Sequence, residues 1–328
     1  MREHIHTYGI IGTGVIGAGW TARALAHGLD VVAWDPAPGW QAGLQAAVEN
    51  AWPALTELGL YPDADRHRLR FAESMADVCT AADFIQESAP ERLALKQDLH
   101  ARIDAVTAPD VIVASSTSGL LPTHLQSGCR HPGRLVVGHP FNPVYLLPLV
   151  EVLGGEQTTA GSVESAMAIY RNLGMHPLRV RTEIEGFLSD RLQEALWREL
   201  LHLLNEDVAT TEELDAAIVY GPGLRWAFMG TCLSFHMAGG DRGMADFMEQ
   251  FGPALKLPWS RLEAPELTGA LIGKLADGTR RQAAGRSVKE LERLRDECLV
   301  AIMQALRRFE IGAGRTLAEN EARRSGKG

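Results

Sequence analysis

The feature that most narrows the fold of this chain is the run Gly12-Thr13-Gly14-Val15-Ile16-Gly17. Three glycines in that pattern mean little alone, but here they follow the apolar stretch Gly9-Ile10-Ile11 and open a segment of helical composition through 21–26. A second apolar run, 31–34, then ends at Asp35, about 20 residues on, as a dinucleotide fingerprint requires. Each position has a physical job. Gly12 permits the tight turn, Gly14 lets a pyrophosphate approach the backbone, and Gly17 lets the helix pack close to the strand. Thr13, Val15 and Ile16 complete the expected cofactor cradle, and the helix N-terminus adds N–H donors and the positive end of its dipole. Asp35 can accept from a ribose diol and would repel a 2′-phosphate, so the expected cofactor is NAD rather than NADP.

The rhythm continues. Short apolar runs at 84–86, 111–115 and 135–138 alternate with helical stretches such as 41–52 and 93–106, the pattern of βαβ units. Two further strands are expected at 149–153 and 178–181, with a helix at 163–173 that Gly174 could cap. Residues 1–184 therefore read as an α/β, Rossmann-like, doubly wound parallel-sheet domain. Beyond 185 the strand signal ends. Leu188, Leu192, Leu196, Leu200 and Leu203 recur at helical spacing, as do Val288, Leu291, Leu294, Cys298, Ile302 and Leu306. Ser287 and Glu290 open the second stretch as a capping box. An all-α C-terminal domain over 185–312 is expected, with 313–328, polar and glycine-containing, fraying at the end. Two domains suit 328 residues, at about 150 per domain.

Charge and composition exclude partners more than they identify any. Lys plus Arg is 32 against 41 for Asp plus Glu, a net charge of −9, whereas nucleic-acid and anionic membrane surfaces call for a basic excess. No apolar run reaches the 18 or so residues of a membrane span. Met1-Arg2-Glu3-His4 leads into a strand without a signal-peptide core. Cys79, Cys129, Cys232 and Cys298 are too dispersed for a metal clip or a disulfide framework. No metal is expected, and a cytoplasmic location is.

A second informative stretch is Gly138-His139-Pro140-Phe141-Asn142-Pro143, leading to Leu149-Val150-Glu151-Val152. His139 falls just past an apolar strand, where open α/β sheets place their ligands. A histidine titrating near neutrality suits removal of a proton from an alcohol. Glu151 sits in the next apolar strand, where an unpaired carboxylate is expensive; pairing with His139 would resolve that cost and orient the ring. The alternative is a structural histidine with Glu151 capping a turn. Upstream, Ser115-Ser116-Thr117-Ser118-Gly119 also follows a strand, offering hydroxyls to a substrate oxygen or a nicotinamide amide, or else forming a solvated turn.

Together these residues resemble the 3-hydroxyacyl-CoA dehydrogenase superfamily over nearly the whole chain. The resemblance implies a Rossmann-like domain, a helical domain that makes a homodimer, and Ser118, His139 and Glu151 as catalytic residues. It further implies NAD contacts at Glu91 and Lys96, and places Ser116 where relatives often carry an Asn near the nicotinamide. One position departs: in Glu185-Gly186-Phe187-Leu188-Ser189-Asp190-Arg191, Asp190 replaces the family's Asn. A negative charge there favours a neutral or cationic neighbour and argues against acyl-CoA chemistry, unless Asp190 simply pairs with Arg191 on a helix surface. Segments 83–93, 115–122, 138–152 and 223–231 are most similar to the branch acting on L-carnitine, a 3-hydroxy acid bearing a quaternary ammonium. Such a cation is recognised by aromatic faces and diffuse negative charge. Trp226 and Phe228 are the candidate cage, Arg225 the carboxylate partner and Asp190 the balancing charge. Trp197, Tyr145 and Phe235 are further candidates, and core packing is the competing role of every aromatic. Other 3-hydroxy substrates (3-hydroxybutyryl-CoA, or L-gulonate, whose branch shares the His-Pro and Pro-Leu-Val-Glu segments) remain open, as does a non-catalytic, crystallin-like NAD-binding protein.

Overall fold

A computed structural model of the chain describes residues 5–261 and 263–326. The expectation about Met1–His4 lies outside the described residues, as does that for 327–328. The chain divides into two compact units, Met1–Leu188 with Gly314–Gly328, and Ser189–Ala313.

The first unit is built on β1 (Thr7–Ile11), α1 (Val15–Ala26), β2 (Asp30–Trp34), α2 (Trp40–Leu58), β3 (Leu69–Phe71), α3 (Met75–Ala81) and β4 (Phe84–Glu87). It continues through α4 (Leu93–Val106), β5 (Ile112–Ser115), α5 (Pro122–Leu125), β6 (Leu135–Pro140), β7 (Leu149–Gly154), α6 (Ala160–Asn172) and β8 (His176–Arg179). One eight-stranded sheet runs β3-β2-β1-β4-β5-β6-β7-β8. Strand side chains alternate between its faces. Ile10 and Phe84 enter one core with Trp20, Leu25 and Tyr170; their neighbours Ile11 and Ile85 enter the other with Val78 and Ile103. Helices thus cover both faces, and the strands can be apolar throughout.

All neighbouring strands are parallel except β6 and β7. Only residues 141–148 join that pair, too few for a crossover, which takes a dozen or more. The chain returns antiparallel, and the register sets His139 directly opposite Glu151.

Three details differ from the sequence expectation. Strand β3 is extra, a three-residue edge strand whose Arg70 broke the apolar signal. Strand β8 begins two residues earlier than 178 and holds Pro177, tolerated on an edge where an N–H need not pair. The tail expected to fray from 313 instead forms a helix (Ala313–Arg324) with Leu317 buried, and its residues from Gly314 on belong to the first unit. Its docking is mostly polar, which hid it from an apolar pattern. Asn320 Oδ1 accepts from the Tyr61 hydroxyl at 3.0 Å, and its Nδ2 donates to His27 Nε2 at 3.3 Å.

The second unit comprises α7 (Ser189–Asn205), α8 (Thr211–Val219), α9 (Pro222–Trp226), α10 (Thr231–Ala238), α11 (Met244–Phe251), α12 (Gly269–Ala283) and α13 (Val288–Arg307). The tail helix is α14. Ser287 and Glu290 form the reciprocal capping box at the start of α13. Leu204, Leu214 and Leu271 form a small core between α7, α8 and α12.

Candidate active site

The glycine turn sits at the C-terminal edge of the sheet, and its three glycines are required for different reasons. Gly12 has φ +93°, and a Cβ there would lie 2.7 Å from the Ser88 carbonyl group. A Cβ on Gly17 would meet the Gly12 carbonyl oxygen at 1.9 Å, so α1 presses directly on the turn. Gly14 is the opposite case: a Cβ would meet nothing within 4 Å. That open space lies at the N-terminus of α1, where a pyrophosphate is held by N–H groups and dipole. Asp35 follows β2 beside it, its Oδ2 accepting from Thr13 N at 2.8 Å and its Oδ1 from Ala37 N at 2.8 Å. The Thr13 hydroxyl also donates to Oδ2, at 3.3 Å; with about two acceptor sites per carboxylate oxygen, Oδ1 keeps capacity for one ribose hydroxyl. The residues present fit NAD.

Further along the same edge lies the histidine. His139 Nδ1 is 3.0 Å from Glu151 Oε2, with both side chains buried. The other carboxylate oxygen, Oε1, accepts from the Leu188 backbone N–H at 3.0 Å. A carboxylate only accepts, so His139 carries its proton on Nδ1 and presents Nε2 as the basic nitrogen. The imidazole is walled by Phe141 and Phe187, ring centroids 5.4 and 5.5 Å away. Phe187 is fully buried with φ +47°, a left-handed conformation that costs a bulky residue roughly 1–2 kcal/mol. This turn brings the Phe187 ring against the histidine and aims the next N–H at Glu151.

The Ser-rich turn after β5 is held from below. Glu91 Oε1 accepts from the Thr117 hydroxyl, from Ser118 N at 3.0 Å and from Gly119 N at 3.3 Å, leaving Ser118 itself exposed. Lys96, expected to touch the cofactor, is only 1% exposed. Its ammonium is 2.7 Å from Glu87 Oε1 and 3.7 Å from Glu91 Oε2, so it neutralises two carboxylates instead of facing the cleft. Glu87, fully buried, also accepts from Ser115 Oγ at 2.6 Å and His100 Nε2 at 3.0 Å. Burial opposes its ionisation, but the His100 hydrogen bond and the Lys96 charge prevail and hold it at about 2. Ser116 Oγ is engaged with Gln86, Ser88 and Trp20. Gln86, Glu87 and Phe187 were not singled out from sequence, although two adjacent polar residues closing a central, buried strand were a visible signal.

The remaining candidates, Tyr145 excepted, belong to the second unit. Asp190 is in the first turn of α7; Arg225 and Trp226 end α9, with Phe228 just beyond. Trp226 and Phe228 are 43% and 40% exposed. Phe235 stacks on Phe247 at 4.5 Å, Trp197 lines a groove with Leu200 and Leu204, and Tyr145 packs against the first unit's core.

The glycine turn and the buried His139–Glu151 pair lie along one edge of the same sheet. Residues 7–184 match the 3-hydroxyacyl-CoA dehydrogenase NAD binding domain and residues 186–271 the 3-hydroxyacyl-CoA dehydrogenase C-terminal domain. The chain belongs to the 3-hydroxyacyl-CoA dehydrogenase family of NAD-dependent oxidoreductases. Among its relatives, the L-carnitine dehydrogenase of Pseudomonas aeruginosa is 61% identical over 96% of this chain and 98% of its own. A second L-carnitine dehydrogenase, from Pseudomonas sp., is 59% identical over the same shares. Among solved structures, 5-formyl-3-hydroxy-2-methylpyridine 4-carboxylic acid 5-dehydrogenase, an NAD+-dependent dismutase, superposes with a TM-score of 0.78. It is 29% identical and covers 92% of this chain and 99% of its own.

Proposed function

We propose that this protein oxidises L-carnitine to 3-dehydrocarnitine, with NAD as the cofactor. The His139–Glu151 pair carries the reaction class, and the 61% identity to an L-carnitine dehydrogenase carries the substrate. His139 Nε2 takes the proton of the C3 hydroxyl as the alcohol becomes a ketone. Glu151 fixes the ring's tautomer and stabilises the imidazolium that forms. Ser118, exposed on its turn, hydrogen-bonds the substrate oxygen. When bound, NAD supplies the acceptor for the hydride leaving C3. The turn of Gly12, Thr13, Gly14, Val15, Ile16 and Gly17 holds the pyrophosphate, Asp35 the adenosine ribose, and Glu91, backed by Lys96, sets the turn carrying Ser116 and Ser118.

For the substrate's charged ends we assign Trp226 and Phe228 to the trimethylammonium, Arg225 to the carboxylate and Asp190 to charge balance. The chemistry supports this: a quaternary cation donates no hydrogen bond and is held by aromatic faces and negative charge. NADH formation is to be compared for L-carnitine, D-carnitine, L-gulonate and 3-hydroxybutyryl-CoA. Turnover of the CoA ester without turnover of L-carnitine refutes the assignment.

We also propose a homodimer formed through the helical unit. Leu192 is 76% exposed there, and a groove of about 350 Å³ lined by Trp197, Leu200, Leu214 and Ile272 is mostly apolar. A monomer in light scattering would refute this. A cytoplasmic location is supported by four cysteines that are all free thiols, as a reducing compartment keeps them; cell fractionation tests it. Among the described residues no helix is long and apolar enough to cross a membrane.

A further inference from the structure

Gln86 is fully buried in β4 beneath the cofactor edge. Its Oε1 accepts from the hydroxyls of Tyr8 at 3.1 Å and Tyr170 at 2.7 Å. Its Nε2 lies 2.8 Å from Ser116 Oγ and 3.3 Å from the Gly138 carbonyl oxygen. A carbonyl cannot donate, so the amide nitrogen must point that way and must donate to Ser116 as well. Trp20 Nε1, which has only a proton to give, lies 3.2 Å from the same Ser116 Oγ. Two donors therefore occupy both lone pairs of the Ser116 hydroxyl. Its single proton goes to Ser88 Oγ, 2.9 Å away. Ser88 is the acceptor in that pair and retains its own proton. No other partner of Ser88 Oγ occurs among the described residues.

The place of Ser88 decides what that proton meets. Ser88 follows the last residue of β4, and its N–H donates to the Ile11 carbonyl at 2.8 Å, so it adjoins the glycine turn. Asp35 after β2 marks the adenosine end and the turn after β1 marks the pyrophosphate. With the sheet order β2-β1-β4-β5-β6, the rest of a bound dinucleotide would extend past β4 and β5 towards His139.

We infer that Ser88 is a cofactor-binding residue, donating its hydroxyl to an acceptor oxygen in the nicotinamide riboside half of NAD, with Ser116, Gln86 and Trp20 fixing its direction. The inference rests on the proposed NAD-dependent reading of this site. The test is fluorescence and calorimetric titration of wild type and Ser88→Ala with NADH and with ADP, which lacks the nicotinamide riboside. Loss of one neutral hydrogen bond weakens binding about 3- to 10-fold. That loss is expected for NADH, while ADP binds both proteins equally and so reports an intact fold. Undiminished NADH binding by Ser88→Ala overturns the inference and leaves the cofactor reading standing. Equal weakening of both ligands also overturns it, placing the contact at the pyrophosphate or the fold. A wild-type protein that does not bind NADH overturns the cofactor reading, and this inference with it.

Discussion

Glu151→Gln removes a charge while keeping the shape, and the surrounding hydrogen bonds determine how the new amide must lie. One oxygen of the side chain faces the Leu188 N–H at 3.0 Å and the other faces His139 Nδ1 at 3.0 Å. Leu188 N can only donate, so the amide oxygen of the glutamine turns to it. The NH2 group is left against Nδ1, which must then accept. The imidazole is driven into the opposite tautomer, with its proton on Nε2, where the substrate proton was to be received. The reversed amide would set two donors against each other at Leu188, in a buried site where an unmade hydrogen bond costs about 1–3 kcal/mol. The loss should therefore approach that of the general base itself. We expect a 10³–10⁴-fold fall in kcat, the upper part of the range for such groups, equivalent to about 4–5.5 kcal/mol of transition-state stabilisation. Steady-state NADH formation with L-carnitine reads the rate, and NADH titration should give an unchanged affinity. Because the two residues act as one unit, His139→Gln combined with Glu151→Gln should be scarcely worse than either alone. A Glu151→Gln enzyme within tenfold of wild type would refute the tautomer argument.

Gly14→Ala and Gly17→Ala should fail in different ways. The Gly14 methyl enters open space, so Tm stays near wild type while NADH binding weakens tenfold or more, by about 1.4 kcal/mol or above. The Gly17 methyl meets the Gly12 carbonyl oxygen at 1.9 Å, backbone that cannot move aside, so Tm itself falls, with an overpacking cost of about 1–3 kcal/mol. Docking of α14 should be acid-sensitive. His27 Nδ1 donates to the Arg23 carbonyl at 2.8 Å and Nε2 accepts from Asn320, so the ring is neutral. Burial, then the Arg23 charge, holds its pKa at about 3 instead of 6.5. Between those values the unfolded chain binds the proton and the folded chain does not. Stability from this group is complete above 6.5 and is lost as pH falls towards 3, by at most about 1.4 kcal/mol per unit. Urea midpoints at neutral and mildly acidic pH should show a shallower loss in His27→Gln than in wild type. Asn320→Ala, losing two hydrogen bonds, should cost about 1–2 kcal/mol at neutral pH.

What the sequence by itself determined is whatever depends on neighbours along the chain. The glycine turn and Asp35 belong to one βαβ unit, so spacing alone disclosed both the turn and its place at the C-terminal edge of the sheet. The capping box of Ser287 and Glu290 is likewise a matter of three residues. The His139–Glu151 pairing was legible because the link from β6 to β7 is short, which makes the two strands a hairpin and their register a local property. Tertiary structure decided the rest. Lys96 carries the residue type and alignment of a cofactor contact, yet its position on α4 buries it against Glu87 at the end of β4, and a buried ammonium must pair where its carboxylates are. The tail helix has one large apolar anchor, Leu317, and is secured by Asn320 reaching Tyr61 and His27. Those partners lie more than 250 positions away in the chain, and polar contacts over such separations leave no periodic trace. The direction of the Ser88 proton is further still from the sequence, since it follows only when Gln86, Trp20 and Ser116 are brought within hydrogen-bond reach from three different elements.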